Sequence, residues 1–262
     1  MISRRSFIKT STFASIALTS GSLFADENKT HIITLSFDDG FKKSFYKVAN
    51  IYEKYGLSAC FNVIASGHLP DFKGVDQWIL PELMGDFDDW NELKNRGHEV
   101  MPHSWKHLNL AQQPLEEAKQ LIVKCLNYFQ DHLVGYKNSE SVFNFPFNAS
   151  TPELEEFVLS QVMALRSFGG AVNDIPAHEA PFRLGCSSKG PGNIDQWVND
   201  SINEFLLTNG GWLILNLHGL DYEGWGPMSE TFLNNLIKKL SEMTNVQVLP
   251  TGQVLQNAIK KL

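Results

Sequence analysis

Five residues of this chain combine types and spacings that could do chemistry. Asp38 and Asp39 are adjacent, His103 and His107 stand four apart, and His218 closes an apolar run. Imidazoles at that spacing reach one side of a helical turn, where two nitrogen donors can meet a single ion. A carboxylate from elsewhere in the fold would complete a set of two His and one acid. With open positions left over, such a set suits Zn²⁺ or another divalent ion that activates water. Neighbouring strand residues point to opposite sides, so the two acids could serve different tasks around one site. Read alone, SFDDG (36–40) is more simply a turn, with Asp bonding local backbone and Gly accepting positive φ.

The elements that must position these residues are legible as apolar runs alternating with amphipathic segments. The runs are HIITLSF (31–37), SACFNVI (58–64), HEVMP (98–102), SVFNF (141–145), VMALRSF (162–168), GWLILNLH (211–218) and VQVLP (246–250). Pro114 can open a helix over 115–133, and Thr151 with Pro152 caps the next. Ser229 starts one ending near Ser241, and Thr251 caps the last. Strand alternating with helix implies an α/β fold with a mostly parallel sheet, and seven runs suggest a barrel. Barrel chemistry sits at the carboxyl ends of the strands. There Asp38 and Asp39 follow the first run, His103 and His107 the third, Asn144 to Asn148 the fourth, and His218 the sixth. The stretches 65–81 and 169–193 read as irregular loops near the mouth.

Composition is that of an ordinary globular protein: 262 residues, 43% hydrophobic and 19% charged. Residues 1–25 differ from the rest. A basic start, a short apolar stretch from Thr10 to Phe24 and small residues toward Ala25 describe a signal peptide, too short and too polar for a membrane span. SRRSFIK (3–9) resembles a twin-arginine export signal, which places the protein in the periplasm or outside the cell. Processing would remove Arg4, Arg5 and Lys9. The remaining 19 basic residues then face 29 acidic ones, a net charge near −10. Such a surface argues against nucleic acid or an anionic membrane as partner. Cys60, Cys125 and Cys186 read as buried thiols with at most one disulfide.

SFDDG, followed by GHEV and HSWKH, resembles the polysaccharide deacetylases, the NodB-homology carbohydrate esterases of family four. The resemblance covers nearly all of 26–262 as a single domain and implies a distorted (β/α)7 barrel. It makes Asp39, His103 and His107 the metal ligands and Asp38 the general base. The third family motif, RxPY, matches FNFPFN (143–148). Pro146 and Phe147 fit, the latter supplying a backbone N–H to the oxyanion, but Asn144 stands where the family has the arginine that steadies the base. Arg166 or Arg183 could supply that charge from elsewhere, and Asn144 and Pro146 are expected near the substrate. The fifth motif matches LILNLHG, with His218 as general acid. The acid that orients His218 has no clean match, Asp174 and Asp221 being the candidates. GLDYEGWGP (219–227) resembles a segment of exported members, with Trp225 facing a sugar.

The resemblance thus implies an exported deacetylase of N- or O-acetylated poly- or oligosaccharides. It would use one divalent metal, Zn²⁺ foremost, with Co²⁺, Ni²⁺ or Mn²⁺ as alternatives, and its partner is the acetylated carbohydrate. Two other readings stay open. One is a carbohydrate-binding protein that lost turnover through changes such as Asn144. The other is a metal-independent C–N hydrolase of a small non-sugar amide.

Overall fold

The structure, a computed structural model, describes residues 31–74, 76–177 and 180–260. The leader expected over 1–25 lies outside them. Nine strands run β1 His31–Phe37, β2 Cys60–Val63, β3 Glu99–Pro102, β4 Val142–Asn144, β5 Ala164–Phe168, β6 Val172–Asn173, β7 Phe182–Cys186, β8 Gly211–Leu217 and β9 Val246–Val248. The helices are α1 Lys42–Glu53, α2 Phe87–Asn95, α3 Leu115–His132, α4 Pro152–Leu159, α5 Asp195–Leu206, α6 Glu230–Ser241 and α7 Thr251–Ile259.

β1 is buried at every residue, as expected of a parallel strand covered on both faces. β8 flanks it along its full length, and β2, itself followed by β3, takes its upper end at Ser36 and Phe37. β4, β5 and β7 form a second parallel sheet. Two seams join the sheets. At one, Ser187 bridges to β8 and its carbonyl accepts from Asn216 N–H at 2.8 Å. At the other, the His103 ring bonds the Asn144 carbonyl at 2.9 Å and the Asn144 amide donates to the Pro102 carbonyl at 3.3 Å. Seven parallel strands, β1 to β5 with β7 and β8, thus form the distorted α/β barrel.

The number of staves agrees with the sequence reading, but their identity does not. FRLGC, inside the stretch read as irregular, is a barrel strand. It is paired along its length with β5, although its polar Arg183 and Gly185 break the apolar pattern. VQVLP instead yields β9, which pairs only with His31–Ile33 at the lower end of β1. Helix starts agree more closely. Thr151 caps α4, its hydroxyl accepting from Leu154 N–H at 3.4 Å, and Pro152 fills the first turn. Thr251 proves to be the first residue of α7 rather than its cap, and its hydroxyl donates to Glu99 at 2.7 Å. The three cysteines are free and buried, so the optional disulfide is absent. No described helix is long and apolar enough to cross a membrane.

Candidate active site

β1 delivers the two acids in opposite senses. Asp38 N–H still bonds the Leu217 carbonyl at 2.8 Å, continuing the ladder toward β8. Asp39 then turns out of the strand with φ 79°, a conformation non-glycine residues adopt rarely and chiefly where surrounding structure enforces it. Gly40 follows at φ 101°, where a Cβ would stand 3.2 Å from the Trp90 ring. SFDDG is therefore both a turn and a pair of separated carboxylates.

His103 and His107 do not sit on a helical turn. The segment is an irregular loop in which Ser104 and His107 have φ 67° and 56°, and the Ser104 hydroxyl accepts from His107 N–H at 3.0 Å. This side-chain turn brings the rings together, with centroids 5.0 Å apart. Both Nε2 atoms face Asp39 Oδ1, His107 at 3.3 Å and His103 at 3.5 Å. That oxygen is buried and has no hydrogen-bond partner. One donor atom from each of the three residues lies within 4.8 Å of the other two. A buried carboxylate oxygen left unpaired opposite two imidazoles is the donor set of a divalent cation, so the residues fit a metal. The Asn144 carbonyl on Nδ1 of His103 holds the tautomer whose Nε2 lone pair faces that point.

Electrostatics separate the two rings. Burial pushes the His107 imidazole down to about 4. Burial also opposes charge on His103, but the neighbouring Asp38 and Asp39 carboxylates outweigh it and raise that ring above its ordinary value.

Asp38 is held by a cage that the sequence only partly disclosed. Burial alone would raise its pKa, but the Arg166 charge, with His103, prevails and holds the carboxyl below the usual range. Arg166 is wholly buried and engages both carboxylate oxygens, at 3.0 and 2.5 Å, and Ser36 at 2.9 Å. Asn62 donates to Asp38 at 2.7 Å, and Asn216 donates to its other oxygen. Arg183, the other candidate, is half-exposed and paired with Glu155 at 3.1 Å. Arg166 stands directly opposite Asn144 in the β4–β5 register. The charge missing from the fourth strand is thus supplied one strand over, at the same height in the barrel.

Asn144 itself is corrected by the structure. It is fully buried, absent from the cavity wall, and donates to Asn62 Oδ1 at 2.8 Å, so it supports the group that supports Asp38. Pro146 is likewise buried and behind the wall. Phe147 does reach the cavity. It adopts φ 56°, and its half-exposed ring lies 4.8 Å from that of His107. His218 follows β8 and meets Trp225 edge-on at 5.6 Å. Its Nδ1 is buried without a partner. Asp221 is engaged by Lys47 at 2.8 Å and by Glu230 N–H at 3.1 Å. Asp174 follows β6, whose Asn173 is opposite Trp212 near the far end of β8, roughly 20 Å of strand from His218. Neither acid orients this ring.

Asp38, Asp39, His103, His107, Phe147, His218 and Trp225 border one cavity of ≈ 400 Å³. Sequence reasoning missed Asn62 beneath it and Asn216, Asp76, Trp78, Ile79 and Ser188 on its lining, while Asn148 belongs to the stretch it did single out. Asn62 and Asn216 did leave a signal. Each is the one polar residue in a buried apolar strand, and with the buried Ser36, Asp38, Asn144 and Arg166 they are joined by hydrogen bonds into one polar layer across the barrel.

The family model for polysaccharide deacetylases matches residues 25–160. The chain belongs to the polysaccharide deacetylase family. Members are hydrolases that remove acetyl groups from carbohydrates, and the family includes enzymes with a divalent metal site of this kind. Among solved structures, the chain is similar to the family-four domain of a multidomain xylanase from the hindgut metagenome of Trinervitermes trinervoides. Identity is 15%, covering 88% of this chain and 91% of that one, with TM-score 0.58. A peptidoglycan deacetylase from Bacillus subtilis shares 18% identity over 90% and 94% of the two chains, with TM-score 0.56. An acetyl xylan esterase from Clostridium thermocellum, solved with cobalt, shares 18% over 86% and 91%, with TM-score 0.58. At such identities the likeness shows the polysaccharide deacetylase fold. Curated protein sequences give no match.

Proposed function

We propose that this protein is an exported, metal-dependent carbohydrate deacetylase. The observation that carries the reading is the convergence, in one cavity, of the Asp39–His103–His107 donors with Asp38 and His218. Zn²⁺ suits two imidazole nitrogens and one carboxylate oxygen, with Co²⁺, Ni²⁺ or Mn²⁺ as substitutes. When bound, such an ion supplies Lewis acidity, lowering the pKa of water and polarising a carbonyl.

The chain's own residues supply the remainder. Asp38, kept ionised and aimed by Arg166, Asn62 and Asn216, accepts the proton of the attacking water. The Phe147 N–H donates to the carbonyl oxygen as negative charge builds on it. His218 delivers a proton to the departing nitrogen or oxygen. Water's oxygen leaves with acetate, and the sugar keeps a free amine or hydroxyl.

By their names, the structural relatives act on acetylated xylan and on peptidoglycan, so both ester and amide substrates belong in the test. Acetate release by zinc-loaded protein should be measured on chitooligosaccharides, peptidoglycan fragments and acetylated xylan. Release from at least one, lost in Asp38→Asn with metal content unchanged, is expected. No release from any, with metal bound, would sink the reading in favour of a binding protein. That second reading drew on the missing arginine, and Arg166 supplies the charge. Export rests on SRRSFIK. Fractionation of cells carrying Arg4→Lys with Arg5→Lys should find the protein retained in the cytoplasm.

A further inference from the structure

The cavity carries one acid that the deacetylation scheme does not use. Its lining includes Asp38, Asp39 and Asp76 and no Lys or Arg. Asp38 is compensated by Arg166, and Asp39 faces the two imidazoles. Asp76 is exposed, and among the described residues no Lys or Arg pairs with it. One of its oxygens accepts from the N–H groups of Trp78 and Ile79, at 2.8 and 3.1 Å. Those two bonds fix the side chain and leave the second oxygen without a protein donor. Trp78 is half-buried on the same wall, and Trp225 and Phe147 add two further rings. A fixed carboxylate beside aromatic faces accepts a sugar that carries a cation, the ring stacking on the indole and the charge meeting the acid.

Resting on the deacetylase reading, we propose that Asp76 and Trp78 form a subsite for the ammonium of a free amino sugar. The preferred substrate is then an N-acetylated amino-sugar chain in which some units already carry the free amine. Hydrolysis itself makes such units. Water adds to the acetyl carbon, the C–N bond breaks, acetate departs, and the nitrogen stays on the sugar, where it is protonated in mildly acidic solution. One turnover thereby creates the group that this subsite recognises on the chain presented for the next.

The test compares the affinities of zinc-loaded full-length protein for a glucosamine tetramer and for its fully N-acetylated counterpart, by calorimetry. A partly exposed ion pair should favour the amino tetramer by about threefold to fivefold. The preference should shrink in about 1 M salt, where charges are screened within about 3 Å. Asp76→Asn keeps a hydrogen-bond acceptor and removes the charge, so it should bring the ratio to about one, and Asp76→Lys should invert it. Glu116→Gln, on α3 and away from the cavity, should leave the ratio as in the parent. Equal affinities in the parent, or a preference that survives Asp76→Asn, would overturn the subsite. So would loss of zinc from Asp76→Asn, since Asp76 would then serve the metal. Binding needs no turnover. A failure to release acetate from any glycan would therefore count against the deacetylase reading, while the affinity ratio decides the subsite separately.

Discussion

The two sheets of the barrel contribute to the site in different ways. The sheet containing β1, β2, β3 and β8 provides the proposed metal donors, Asp38 and His218, nearly all at or just beyond strand ends. The sheet of β4, β5 and β7 provides Asn144 and Arg166 from within strands, both buried, and reaches the cavity through the Phe147–Asn148 turn and Ser188 after β7. The first half presents most of the reactive groups and, through Asn62 and Asn216, helps to aim Asp38, while the second supplies the buried counter-charge. Groups that touch a substrate are confined to positions at the mouth. A compensating charge needs only to arrive within reach of Asp38, so it can come from any strand at the right height.

The largest test of this division falls on the first sheet. Asp39→Ala should abolish zinc binding in calorimetry and acetate release with it, while the fold, followed by circular dichroism, persists. On the second sheet, Arg166→Gln leaves Asp38 buried without its counter-charge. That should cost about 3–5 kcal/mol of stability, read from denaturant unfolding, together with most of the activity. Adding Asn144→Arg to that variant places a guanidinium at the paired position of β4 and should recover part of both. A failure of any recovery would mean that height in the barrel is not sufficient. Asn144→Ala, which removes the amide's bonds to Asn62 Oδ1 and to the Pro102 and Val142 carbonyls but leaves no charge unpaired, should cost less, about 1–3 kcal/mol.

The smallest effect concerns pH. His103 is the ring raised above its ordinary value of 6.5, so it takes up a proton before His107, whose burial lowers it to about 4. A proton there competes with the ion. Zinc affinity should therefore begin to fall at a pH above 6.5, by up to about tenfold per pH unit for that one proton. In the metal-free protein the lowered His107 value already takes stability away as pH falls from 6.5 toward about 4, and Asp38 adds a further loss at lower pH. The depressed pKa of Asp38 contributes stability that is fully present above the ordinary value of 3.8 and is lost as pH falls from there through the folded value. An acid titration followed by fluorescence should show that loss below about pH 4, and more weakly in Arg166→Gln.

The same contrast explains what could be read in the sequence. Apolar runs ending abruptly in Asp or His disclosed β1, β3 and β8 with their chemistry, because strand ends combine a clear hydropathy change with a fixed location at the mouth. Asn144 disclosed that an arginine was missing and left Arg166 and Arg183 as its candidate replacements, without choosing between them. Its replacement depends on which strands lie side by side, and local pattern does not carry pairing. FRLGC was passed over because Arg183 and Gly185 interrupt its alternation, and without it neither the place of β5 nor that of Arg166 could be drawn. The helical reading of HSWKH failed for a local reason. Ser104 closes a tighter turn through its hydroxyl and brings the rings together without a helix.

Asn144 has a mechanical consequence as well. Its carbonyl grips the ring of His103 and its amide grips Asn62, which grips Asp38. His103, a proposed ligand of the ion, and Asp38, the proposed proton acceptor, are thus referred to the same residue. When thermal motion displaces the end of β4, both travel with it, and the gap between them, where a water must fit, changes less than either position does.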